Sequence, residues 1–122
     1  MTRVIIAGSR KFCNYPKMLE ALRLYIGYKY IDDLEIISGH APGADALGEK
    51  FARESGYKLK IFPAEWDKYD RAAGPIRNEQ MAKYAAEADK GILIAFPIGE
   101  SLGTRNMITL AKRYGLEVHV IE

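Results

Sequence analysis

Apolar residues recur along this chain in two rhythms. Short runs at Val4–Ala7, Leu34–Ile37, Leu59–Phe62, Gly91–Phe96 and Leu116–Ile121 alternate with stretches where apolar residues return every three or four positions. The short runs are rich in Val, Ile and Leu and several end at Gly, Ser or Pro, the pattern of strands buried on both faces. The longer stretches predict amphipathic helices. Asn14 caps one from about Tyr15 to Tyr30, with Pro16 in its first turn and Met18, Leu22, Tyr25 and Ile26 on one face. A second runs from Ala44 to Glu54, lined inside by Ala44, Leu47, Phe51 and Ala52, and Gly56 stands where a left-handed stop residue belongs.

The stretch Pro63–Gly74 carries neither rhythm and reads as irregular. Pro75 then opens a third helix at its first position, with Met81, Tyr84, Ala85 and Ala88 as its stripe. A fourth helix runs from Thr104 to Tyr114 and stops at Gly115. Strands alternating with helices imply a parallel sheet covered on both faces. The expected fold is α/β, a Rossmann-like three-layer sandwich with a five-stranded parallel sheet in order 3-2-1-4-5. It forms a single domain over residues 1–122.

That order puts a topological switch point between the first and fourth strands, where such sheets bind ligands beyond their carboxyl ends. Three loops that carry glycine and a hydroxyl side chain meet there. They supply Gly8, Ser9 and Arg10; then Ser38, Gly39, Gly43, Ala44 and Asp45; then Pro97, Gly99, Ser101, Gly103 and Thr104. Glycine lets an anion approach the backbone, and the first turn of a helix offers unpaired N–H groups and a positive dipole end. Arg10 can hold a phosphate bidentately, and Arg77 and Asn78 project from the same edge. The same residues also admit plainer readings: turns for the glycines, caps for Ser101, Thr104 and Asp45, a surface ion pair for Arg77. Trp66 and Tyr69 can either stack on a base or pack beneath their own loop.

Composition narrows the function classes. Eighteen Lys and Arg against sixteen Asp and Glu leave a net charge of +2, too balanced to indicate a nucleic-acid or membrane surface. Arg71, Arg77 and Arg105 could at most line one rim. The single cysteine, Cys13, permits no intrachain disulfide, which fits a reducing, cytoplasmic setting. The opening run MTRVIIAGSR is too short for a signal-peptide core or a membrane span. GxSxG, the P-loop motif, a strict GxGxxG after the first strand and metal-ligand spacings are all absent, and no cofactor is expected.

Four motifs in order, VIIAGSRKF, ISGHAPGADALGEKFA, FPAEWDKYDRAAGPIRNEQMA and LIAFPIGESLGTRNMI, resemble the YspA/YpsA-related branch of the SLOG (Smf/DprA–Lonely Guy) superfamily over nearly the whole chain. The resemblance implies a Rossmann-like domain that binds a nucleotide or nucleotide-derived ligand, with some members acting as sensors. Lonely Guy phosphoribohydrolases in that superfamily cleave a nucleobase from ribose 5′-monophosphate with the loop PGGxGTxxE. Gly103 and Thr104 match its GT, and Arg77 resembles the arginine that precedes that loop on a helix. The loop here is two residues longer, and Met107 stands where the catalytic glutamate belongs. The first expectation is therefore a binding or sensing module. The alternative is a nucleoside monophosphate N-glycosidase or related nucleotide hydrolase, with Glu100 or Asp45 as acid/base. Superfamily members often pair beside the ligand edge. A homo-oligomer, most simply a dimer, is expected, with Tyr25, Tyr28 and Tyr30 offering adhesive surface.

Overall fold

A computed structural model describes all residues from Met1 to Glu122. Five strands form one sheet: β1 (Thr2–Gly8), β2 (Leu34–Ser38), β3 (Lys58–Ile61), β4 (Lys90–Phe96) and β5 (Glu117–Val120). All pairings are parallel, and the order is β3-β2-β1-β4-β5. The helices are α1 (Tyr15–Ala21), α2 (Ala44–Ser55), α3 (Trp66–Tyr69), α4 (Ala73–Ala86) and α5 (Leu102–Arg113).

Side chains alternate across a strand, so the central strands divide their residues between two cores. Val4, Ile6, Ile36, Ile92, Ile94 and Phe96 face one side with Met18, Leu22, Phe51 and Ala52 of α1, its following turn and α2. Ile5, Ala7, Ile37, Leu93 and Ala95 face the other with Met81, Ala85, Met107 and Leu110 of α4 and α5. Leu93, Ile94 and Phe96 are fully buried, which explains why β4 reads as a continuous apolar run. A glycine makes the α2–β1 contact possible: a Cβ at Gly48 would lie 2.9 Å from the Ile6 side chain.

Several sequence-based boundaries change. The first helix does not run to Tyr30. After Ala21 it widens into a π-turn, Leu22–Ile26, and Gly27 halts it with φ of 64°. The chain then doubles back through Tyr28–Tyr30, and Tyr28 packs edge-on against Phe51 at 4.9 Å between ring centroids. Tyr25 and Tyr30 remain exposed, so the three tyrosines do not share one surface. The stretch Pro63–Gly74 is not wholly irregular: it holds α3, a single 3₁₀ turn at Asp70–Ala72 and the start of α4. Pro75 is accordingly the third residue of α4. Proline is tolerated there because first-turn amides have no intrahelical acceptor. Ala88 lies beyond the end of α4. The last helix begins two residues early, at Leu102, with Ser101 extended in front of it. No helix is long and apolar enough to cross a membrane.

Candidate functional site

The carboxyl ends of β1 and β4 lie side by side, with Ala7 opposite Ala95 and Gly8 opposite Phe96. Above them opens a cavity of about 400 Å³. Ala7, Gly8 and Arg10 form its floor and one side, Asp45 comes from α2, and Arg77, Asn78 and Met81 from α4. Ser101, Leu102, Gly103 and Thr104 close it from the α5 turn. Trp66, the stacking candidate, and Arg71, the rim cation, also line it. The volume lies within the range of about 300–1,000 Å³ that small-molecule sites occupy.

The α5 turn is the part of the wall best suited to negative charge. Arg105 N–H donates to Ser101 O and starts the helical ladder, while the amides of Leu102, Gly103 and Thr104 have no partner. Ser101 makes no cap to them. Its hydroxyl is 2.7 Å from that of Thr104, so the two share one hydrogen bond and one hydroxyl proton is left over. Gly103 is helical, and a Cβ placed on it would meet nothing within 4 Å. Neither backbone strain nor crowding requires glycine there.

Asn78 fixes this turn to α4. It is buried, and its Nδ2 donates to Asn106 Oδ1 at 2.9 Å and to Gly103 O at 3.3 Å. Arg77 Nε donates to Asn78 Oδ1 at 2.9 Å, and Arg77 Nη1 donates to the carbonyl of Gly39. No carboxylate pairs with Arg77, although Asp45 is near enough to act on it electrostatically. Asp45 is itself 5% exposed and accepts one amide, from Ala41 at 3.2 Å. Burial pushes its carboxyl up to about 6, against the pull of the Ala41 amide and Arg77.

The remaining expected residues sit behind or beside the wall. Gly43 has φ of 81°, and its missing Cβ is what admits the backbone of Ser9 and Arg10. Ser9 O accepts the Ala44 amide at 3.1 Å, and Ser9 Oγ accepts Lys11 N–H at 3.0 Å. Loop-to-loop packing thus accounts for Ser9, Gly43 and Ala44 and occupies the first amide of α2. Ser38 is fully buried and donates to Glu49 Oε2 at 2.7 Å. Gly39 lines a smaller neighbouring cavity. Pro97 and Gly99 lie outside the cavity, and so does Glu100, which reaches outward to Arg105 at 3.0 Å. Thus Gly8, Arg10, Asp45, Arg77, Asn78, Ser101, Gly103 and Thr104 are brought together, and Ser9, Ser38, Gly43, Ala44, Pro97, Gly99 and Glu100 are not.

Residues missed by sequence reasoning have recognisable causes. Ala41, Leu102 and Asn106 line the cavity where the course of the chain brings them, and no residue type or spacing singles them out. Trp66 and Arg71, weighed in the sequence only as a stacking ring and a rim cation, reach it through α3 and the turn after it. Met107 is 1% exposed yet reaches the cavity wall. It puts a thioether where the phosphoribohydrolase pattern has its carboxylate.

The Gene 61 protein of Mycobacterium phage D29 is 30% identical over 123 residues, an alignment spanning 97% of this chain and 94% of that protein. Residues 2–69, which include the β1 turn and the α2 loop, match the family described as YAcAr. The chain belongs to this YspA, cpYpsA-related SLOG family.

Proposed function

We propose that this protein binds a nucleotide or nucleotide-derived ligand in the switch-point cavity, as a binding or sensing module. One observation carries the reading: the α5 turn offers three unpartnered amides beneath a glycine that the protein's own packing does not need. Glycine is a poorer helix former than alanine even in a first turn, and its missing Cβ leaves room for a group that must come close. A phosphate is that group, because it takes the amides, the remaining hydroxyl proton and the Arg10 guanidinium together. The nucleoside then extends toward Trp66, whose half-exposed indole offers a stacking face.

The test uses equilibrium titration of the full chain with nucleoside mono-, di- and triphosphates. At least one should bind. Leu102→Pro deletes one of the free amides while the helix persists, because Ser101 is already extended and proline favours the first helical position. That variant should stay folded and lose affinity several-fold. A wild type that binds no nucleotide at millimolar concentration would remove the proposal.

A second reading is favoured by Asp45, a buried carboxyl raised to about 6 and placed on the cavity wall. Such a group can exchange a proton near neutral pH, as an N-glycosidase requires. It predicts release of free base from a nucleoside monophosphate, abolished in Asp45→Asn. The thioether of Met107 in place of the family glutamate supports binding over hydrolysis.

A further inference from the structure

Beside the main cavity lies a second one of about 220 Å³. Arg10, Ala41, Trp66 and Arg77 line both, so the two spaces adjoin across a wall that carries two guanidinium groups. The smaller space is bordered by His40 and contains no carboxylate in its walls.

His40 is built with unusual care for a half-exposed loop residue. Its φ is 63°, a left-handed conformation that non-glycine residues adopt rarely. Ser38 Oγ accepts its amide at 3.0 Å and donates to Glu49 Oε2 at 2.7 Å. His40 Nδ1 lies 2.9 Å from the same Glu49 oxygen, and Arg53 supports the other oxygen at 3.3 Å. Glu49 is only 3% exposed. Burial would raise its pKa, but the hydrogen bonds from His40 and Ser38 prevail and hold it below the usual carboxylate range. An ionised carboxylate can only accept, so Nδ1 carries the proton. In the neutral ring Nε2 then presents a lone pair on the opposite side of the imidazole. Strained backbone held by a buried polar network points to a function for the side chain it displays.

We propose that the smaller cavity is a second subsite for a sugar joined to the nucleotide beyond its phosphates, with His40 Nε2 accepting a hydrogen bond from a sugar hydroxyl. The class of ligand is a nucleoside diphosphate sugar. The nucleoside stacks on Trp66 in the larger cavity, the diphosphate runs from the α5 amides along Arg10 and Arg77, and the sugar ring lies in the smaller cavity beside His40. Arginines supply donors only, so a hydroxyl needs His40 as its side-chain acceptor in this space. The inference rests on the nucleotide reading above and deepens it.

Three matched series separate the two: AMP, ADP and ADP-ribose; GMP, GDP and GDP-mannose; UMP, UDP and UDP-glucose. In at least one series the sugar conjugate should bind about tenfold more tightly than the diphosphate. His40→Asn should erase that margin and leave monophosphate affinity unchanged. Asparagine tolerates the left-handed backbone, so the fold should persist. His40→Gln, which restores a longer acceptor, should recover part of the margin. If diphosphates bind and every sugar conjugate binds no better, the second subsite is refuted and the nucleotide site stands. If His40→Asn weakens all members of a series alike, His40 supports the main cavity instead and the subsite fails. If nothing binds, both readings fall together.

Discussion

Two arginine–carboxylate clusters sit at opposite ends of this sheet and differ in how completely they are satisfied. At the amino end, Arg3 Nε donates to Glu35 Oε1 at 3.0 Å, and its Nη1 donates to Tyr84 O at 2.7 Å. Tyr84 hydroxyl donates to the same Glu35 oxygen at 2.8 Å, and the guanidinium stacks over the Tyr84 ring at 3.7 Å. Each strong group there has protein partners, and the cluster joins β1, β2 and α4. At the carboxyl end, Arg10 has no carboxylate partner, Arg77 bonds to a carbonyl and an amide, and Asp45 accepts one N–H. A cavity lies between them. Similar residue types brace the fold where they satisfy one another, and leave donors and a carboxylate facing a cavity where they do not.

The largest test of that contrast is Arg3→Ala. Removing one partner of a largely buried pair leaves Glu35 uncompensated and should cost about 3 kcal/mol in urea unfolding, with nucleotide affinity unchanged. Equal loss of binding would blur the distinction. Asp45→Asn should act in the reverse sense. Its folded carboxyl titrates at about 6, above the ordinary value near 3.8. The folded state therefore holds its proton more tightly than the unfolded chain, and stability falls as pH rises from about 4 to about 6. The variant should be more stable than wild type by about 3 kcal/mol at pH 7 and nearly equal to it at pH 4, read from unfolding midpoints at each pH. A variant less stable at pH 7 would make Asp45 another brace of the fold.

Arg10→Ala comes next. The side chain is exposed, so unfolding should shift by less than about 0.5 kcal/mol, while nucleotide affinity drops about tenfold. Gly103→Ala is the smallest and sharpest. It should stabilise the chain by about 0.5 kcal/mol, because α5 gains a helix former in open space, and it should weaken nucleotide binding. Stabilisation with unaltered binding would show that the glycine leaves room for nothing.

Legibility in the sequence followed the range of the interaction. Strands β1, β2 and β4 were plain because burial on both faces demands unbroken apolar runs. Asn14 and Gly56 cap their helices as expected, since a cap is settled within a few residues. Gly27 is also a local signal, and it was outweighed by apolar spacing that continued past it. Of the site, Arg10, Arg77, Gly103 and Thr104 were readable because switch-point chemistry follows from strand order. For Gly43 the plainer of the two readings describes its place: its missing Cβ admits the backbone of Ser9 and Arg10, a loop-to-loop contact that no local pattern encodes.

Residue type and periodicity alone determined that this chain folds as a wound parallel sheet with glycine-bearing turns along one edge. Hydrophobic period and capping act over a few residues and carry that information themselves. Only the folded molecule decided which polar groups find partners and which are left facing the cavity. Pairing joins residues tens of positions apart, as Asn78 does with Asn106 and Arg77 with Gly39. Whether a buried donor is satisfied depends on what lies within about 3 Å of it in space.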